Sequence, residues 1–332
     1  MTNLVKKVQN TIFQNELFKR GDKIILAVSG GPDSVCMLDV FFKLQKKYSL
    51  EILIAHVNYG LRGKDSDKDE KLVRELGEKY GMEIAVLNAF TTPPSRLRDT
   101  SPEYRGGGNS LSENALRDLR YAFFEELRQK NKFDLIAVAH NADDQAETFL
   151  LRIIRGAGLQ GMASMQFKNN LLVRPLLATP RAEIINYLKE NKLIYRIDKT
   201  NLQNDFLRNK IRNGLIPYLE KDFNPRIKET LFDATQSVAT DYAFIIESAR
   251  AAWLKKADLK VTKLLSLHPA IQKQVLRNAL LEAKDNLKDI EAAHIEEILK
   301  IMKSTKSKSQ VVTLKGLKIK RKGDKLEISC KI

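Results

Sequence analysis

Cysteine and histidine are scarce in this chain. Cys36 and Cys330 are the two cysteines, and the four histidines (His56, His140, His268, His294) are widely dispersed. No Cys-x-x-Cys pair exists, so neither a zinc ribbon nor a cysteine-held iron–sulfur cluster is expected. No apolar run reaches the ~18 residues of a membrane helix. The N-terminal "MTNLVKKVQNTIF" lacks the apolar core of a secretory signal. These absences predict a protein of the reducing cytoplasm with no membrane partner. Acidic residues are also in deficit, at 41 Asp and Glu against 57 Lys and Arg, a net charge of +16. So basic a protein is suited to a polyanion, with nucleic acid the leading candidate, although charge alone does not identify it.

The 332 residues hold enough chain for two domains. Apolar strands alternate with helical patterns: "KIILAVSG" (23–30), "EILIAHVN" (51–58), "EIAVLNAF" (83–90) and "FDLIAVAH" (133–140) are strands, with helices over 35–48, 65–81, 112–130 and 143–156. Ser112 is positioned to cap the third of these. The alternation predicts an α/β fold, a doubly wound and mostly parallel sheet. Its carboxyl edge would gather Ser29–Ser34, His56–Arg62 and His140–Glu147. The stretch 91–111 reads as a long surface loop, either a flexible insertion or a lid. Beyond about residue 215 the texture turns helical. It then becomes a period-two hairpin, with Leu317 and Ile319 facing Leu326, Ile328 and Cys330. Residues 303–332 carry ten Lys or Arg against two acids. The expected organisation is a domain over 1–217 and a mainly helical, basic domain over 218–332.

The residues "SGGPDS" (29–34) stand between a strand and a helix. Open backbone N–H groups and the helix dipole attract an anion there. Gly30 and Gly31 let phosphate approach the backbone, and Ser29 and Ser34 add hydroxyls. Asp33 would repel bare phosphate but suits a divalent cation, usually Mg2+, bridging to polyphosphate. A plain turn with Asp33 as a helix-start acid would use the same residue types. No Gly-Lys-Ser/Thr follows, so this is no Walker loop.

The motif resembles the signature of the PP-loop ATP pyrophosphatases, in which the loop holds the pyrophosphate of ATP and a substrate oxygen is adenylated. The segments "AHVNYGLRG" (55–63), "SENALRDLRYAFF" (112–124), "AHNADDQAETFLLRIIRGAGLQGMASM" (139–165), "RPLL" (174–177) and "DKTNLQNDFLRNKIRNGLIPYL" (198–219) follow in order. Together they resemble the tRNA(Ile)-lysidine synthetase family. Asn58, Tyr59 and Asn141 depart from that family's usual Asp, His and His.

The resemblance implies ATP-dependent ligation of free L-lysine to C2 of the wobble cytidine of tRNA(Ile) with a CAU anticodon, through an adenylated base. AMP and pyrophosphate are released, and the tRNA changes from methionine to isoleucine specificity. It implies that Ser29, Gly30, Gly31, Pro32, Asp33, Ser34, His56 and Arg62 bind ATP and that Asp33 holds Mg2+. Asp144 and Glu147 would bind lysine, and Arg120 and Arg212 would act on the transferred phosphate, with Arg208 more open. By residue type alone, Asp143, Asp144 and Glu147 are equally dipole-stabilising acids in a first turn, with Asn141 as cap. The arginines are equally a solvated helix face, and His56 equally a structural residue. The general base is left open between a carboxylate and His140, and so is the oligomeric state, a homodimer included. Two competing classes are a tRNA thiolase of the same superfamily, disfavoured because Cys36 and Cys330 form no pair to hold a cluster, and a basic RNA-binding protein with a degenerate nucleotide site, disfavoured by the intact Ser-Gly-Gly-Pro-Asp-Ser.

Overall fold

In the computed structural model the described residues are 3–61, 63–89, 95, 113–197, 207–253, 260–284, 290–306 and 308–330. Arg62, Ser112 and nearly all of the 91–111 stretch lie outside them. The described chain forms two compact units, Met1–Gln236 and Ser237–Ile332. Their division falls inside one helix, Ile227–Trp253. The sequence boundary at 217/218 therefore falls within the first unit.

The first unit is built on strands β1 (Lys23–Ala27), β2 (Glu51–Asn58), β3 (Glu83–Asn88), β4 (Leu135–Ala137), β5 (Lys168–Asn169) and β6 (Leu172–Val173). Their order is β3-β2-β1-β4-β6-β5. All pairings are parallel except β5 with β6. The doubly wound sheet read from the sequence is thus present, with a short antiparallel edge that its two-residue strands concealed.

Continuous apolar runs arise because both sheet faces are covered. Ile24, Leu26, Ile52 and Ile54 point into one core, with helices α1 (Asn3–Gln14), α2 (Pro32–Tyr48) and α3 (Lys64–Tyr80). Ile25, Leu53 and Ala55 point into the other, with Leu119, Phe123 and Phe124 of α4 (Glu113–Lys130). Each fully buried Ile or Leu contributes about 1.5–3 kcal/mol of apolar transfer. The chain leaves β1 toward β2 on one side and later enters β4 on the other, so the strand order reverses at β1. The loop after β1 and the loop after β4 therefore open side by side at the sheet's switch point.

The remaining helices of this unit are α5 (Ala142–Ile154), α6 (Leu159–Met162), α7 (Arg181–Glu190), α8 (Leu207–Lys210), a π-helical turn at Ile211–Leu215, and α9 (Ile216–Asp222).

The second unit packs α11 (Val261–Leu265), α12 (Pro269–Lys284) and α13 (Ala292–Lys303) against a three-stranded antiparallel sheet. The helix Ile227–Trp253 is α10. The expected hairpin is present: Leu317 pairs with Cys330 and Ile319 with Ile328, in strands β8 (Leu317–Lys322) and β9 (Lys325–Cys330). A third strand, β7 (Gln310–Leu314), adds to it. Trp253 packs on this core, and the Tyr242 hydroxyl donates to Gln274 at 3.0 Å.

Candidate active site

The turn after β1 is held open by its own serines. Ser34 Oγ donates to Gly31 O at 2.9 Å and accepts from Ser29 N at 3.2 Å. Gly30 has φ +85°, a left-handed conformation that suits glycine. Gly31 precedes α2 with no side-chain cap, and Pro32 follows at the first position. The first-turn amides of α2 thus carry no competing side chain where the helix dipole is positive. A cleft of about 200 Å³ opens there, lined among others by Ser29, Gly31, Asp33, Ser34, Tyr59, Arg120, Tyr121 and His140. The loops after β1, β2 and β4 therefore meet as expected.

Asp33 is not free. Asn141 Nδ2 donates to its Oδ1 at 2.9 Å, and Arg181 Nη1 to its Oδ2 at 2.8 Å. Burial raises the Asp33 carboxyl above its ordinary range, opposed by the Arg181 charge. Asn141 also caps α5 by accepting from Asp144 N at 2.9 Å, while Asp144 returns a bond to Asn141 N. One residue thus ties the glycine-serine turn after β1 to the first turn of α5.

Asp144 and Glu147 come together one turn apart and hold two arginines. Arg208 reaches Asp144 at 3.0 Å and Glu147 at 2.9 Å. Arg212 reaches Asp144 at 3.1 Å and Glu147 Oε2 at 2.9 Å. The π-helical turn, which begins at Ile211, carries Arg212; such turns recur at functional sites. Burial disfavours the Asp144 charge, yet the Arg208 guanidinium, the Asn141 amide and the Arg212 guanidinium outweigh it and hold its pKa below the usual carboxylate range. Arg212, expected at the transferred phosphate, is here committed to the carboxylates. Arg120 stays at the cleft wall, with its guanidinium carbon 5.7 Å from the Tyr121 ring centre.

His56 is not at the cleft wall. Its ring is 3% exposed and its Nδ1 lies 2.8 Å from Val28 O, bracing the strand that leads into the turn. Gly30 and Pro32 are not among the residues lining the cleft. Two of the three unusual positions have plain structural work. Asn58 donates to Glu70 at 2.9 Å and accepts from Gly60 N at 2.9 Å. The Tyr59 hydroxyl donates to Leu116 O at 3.1 Å.

Sequence reasoning passed over Arg181 and the link from Asn141 to Asp33. Arg181 had a signal: a cation at the first position of a helix opposes the dipole and needs an acid to hold it. Asp143 accepts from Arg181 N at 2.9 Å and pairs with Lys228 at 3.1 Å, so it faces away from the carboxylate pair.

A glycine- and serine-lined turn at a parallel-sheet switch point, opening a helix whose first turn carries Asp33, is the arrangement of the class of PP-loop nucleotide-binding folds. The profile of the PP-loop domain family matches residues 1–219, and that of the TilS substrate binding domain matches 259–327. A tRNA(Ile)-lysidine synthase of Clostridium tetani is 35% identical over 312 residues, covering 92% of this chain and 65% of that protein. One from Clostridioides difficile is 36% identical over 329 residues, covering 96% and 69%. The chain belongs to the tRNA(Ile)-lysidine synthase family, and it spans about two thirds of the length of these relatives. A U34-tRNA thiolase, NcsA from Methanococcus maripaludis, solved with its [4Fe-4S] cluster, shares the fold. Its TM-score is 0.56 at 17% identity, over 71% of this chain and 78% of that one. Among the described residues no cluster of three or more His, Cys, Asp or Glu is arranged to hold a metal. Cys36 is buried and Cys330 exposed, both unpaired.

Proposed function

We propose that this chain ligates L-lysine to C2 of the wobble cytidine of a CAU-anticodon tRNA(Ile), with ATP as the activating substrate. In the first step the cytosine O2 attacks the α-phosphorus and the bond to pyrophosphate breaks. In the second, the lysine amine attacks C2, AMP leaves with the oxygen, and the amine loses a proton. The turn 29–34 receives the departing pyrophosphate on backbone amides and the Ser29 and Ser34 hydroxyls. Arg120, at the cleft wall, is suited to the charge on the transferred phosphate.

Mg2+ fits this site only in part: Asp33 supplies one carboxylate, and the phosphates and water would complete the shell, as is usual for this ion. The ion would neutralise polyphosphate charge. For Asp33 to serve it, the Arg181 contact must yield.

The observation that carries the lysine assignment is the pair Asp144 and Glu147. The two guanidiniums on it mark a buried dicarboxylate selective for cationic N–H donors. The lysine amine would displace one of them. Attack needs a neutral amine, against a free pKa near 10.4. His140 is kept neutral by burial and by the Arg174 and Arg208 charges, against the pull of Asp144, so it serves as a hydrogen-bond acceptor rather than a resident cation. Incubation with tRNA(Ile), ATP, Mg2+ and labelled lysine should place label in the tRNA in step with AMP release. A tRNA that stays unlabelled while ATP stays intact refutes the proposal.

A further inference from the structure

Three arginines, Arg117 and Arg174 beside His140 and Arg152 beside Arg117, have no acidic partner among the described residues. Arg174 follows β6 and is only 5% exposed; its Nη1 donates to Gln166 O at 2.7 Å, and its Nε is buried with no acceptor. Arg152, on the last turn of α5, gives Nη1 to Gly161 O at 2.7 Å. Arg117, on α4, is exposed, with its guanidinium carbon 5.1 Å from the Tyr121 ring centre, so that of the three only Arg174 is fully buried. The Arg117 charge is felt at both of the others, whose own charges burial already disfavours. His140 adds a second buried atom without a partner, its Nδ1.

Uncompensated buried charge is costly, and each buried unpaired donor calls for an occupant. Bracing a carbonyl accounts for one N–H of Arg174 and leaves its charge and Nε unexplained. Arg208 and Arg212, only a helix away, are by contrast fully committed to Asp144 and Glu147. The missing ligand is therefore an anion that accepts several N–H bonds, and a phosphate group matches a set of guanidiniums best. None of the three arginines lines the nucleotide cleft, whereas Arg120, Tyr121 and His140 do. The pyrophosphate already has its own cradle in the turn 29–34.

We infer that Arg117, Arg152 and Arg174 form a phosphodiester-binding subsite that grips the RNA backbone beside the base being modified. A base drawn out of its stack into a pocket needs its flanking phosphate held. The Tyr121 ring lines the nucleotide cleft and has the guanidinium carbons of Arg117 and Arg120 at 5.1 and 5.7 Å from its centre, which links the subsite to the cleft. The inference rests on the RNA-modifying reading above.

The test uses the full chain and an anticodon stem–loop RNA, with binding followed over a salt series and ATP binding measured separately. Arg117→Ala and Arg152→Ala should each weaken RNA binding about tenfold. Each should lower the salt slope by about one while leaving ATP affinity unchanged. A neutral methylphosphonate next to the target cytidine should cost the wild type as much and add nothing to Arg152→Ala. Unaltered RNA affinity and slope in both variants would overturn the subsite. Loss of ATP affinity in parallel would reassign the arginines to the nucleotide's phosphates and equally overturn it. Arg174→Gln is read only if its circular dichroism and melting match the wild type; otherwise the two outer variants decide. If the wild type binds the RNA but never incorporates lysine, the function reading fails while the subsite stands.

Discussion

Asp33 has a composite role. Burial pushes its pKa up while Arg181 and Asn141 hold it charged and aimed. Asp33→Ala should abolish pyrophosphate release and leave RNA affinity nearly intact; unchanged turnover would remove it from the cation role. The histidines follow a different rule. Burial lowers the pKa of both His56 and His140 below the ordinary value of about 6.5. Below that value the unfolded chain binds more protons than the folded one, so stability falls as pH drops from 7. His140→Gln should remove about 1.3 kcal/mol of the stability difference between pH 7 and 5.5, measured by urea unfolding at both pH values. An unchanged difference would mean that His140 titrates normally. Asn141 could be read from the sequence as a cap, but its bond to Asp33 could not, because that bond spans 108 residues.

At the scale of the element, the strand–turn–helix unit was legible because glycine, proline and serine report backbone geometry locally. Gly30→Ala places a Cβ at φ +85°, where it meets Asp69 O at 3.5 Å. The strained conformation should cost about 1–2 kcal/mol and weaken ATP binding, read by denaturant melts and by nucleotide titration. The arginine-bearing turn of α8 and the π-helix was harder to assign. The family resemblance implied that Arg212 acts on the transferred phosphate and left Arg208 more open, yet the fold turns both onto Glu147, which is 2% exposed. Removing one guanidinium leaves that buried charge half matched. Arg208→Met and Arg212→Met should each destabilise the protein by about 1–3 kcal/mol, with non-additive effects in the double variant. Additive effects would mean that the two arginines act independently.

For the molecule as a whole, the excess positive charge is concentrated toward the end of the chain, and the structure changes how it should be tested. Deleting 303–332 would remove Leu314, Leu317, Ile319 and Leu326, which are buried in the second unit's core. Lys315, Lys318, Lys322 and Lys325 are exposed on the same sheet. Replacing all four with Gln should preserve the fold and weaken tRNA binding. The salt slope should fall by about 0.9 for each phosphate that is no longer neutralised. A slope equal to the wild type's would show that these lysines meet only solvent.

The strand pattern, the strand–turn–helix unit at 29–34, the ordered family segments and the hairpin register were determined by sequence alone. Each depends on local periodicity or on the conformational habits of single residue types. Charge pairing was decided only by the tertiary structure: Asp33 with Arg181, Glu147 with Arg208 and Arg212, and Arg174 with no acid at all among the described residues. A carboxylate's partner is set by which distant side chains the fold brings within about 4 Å, and no spacing along the chain records that.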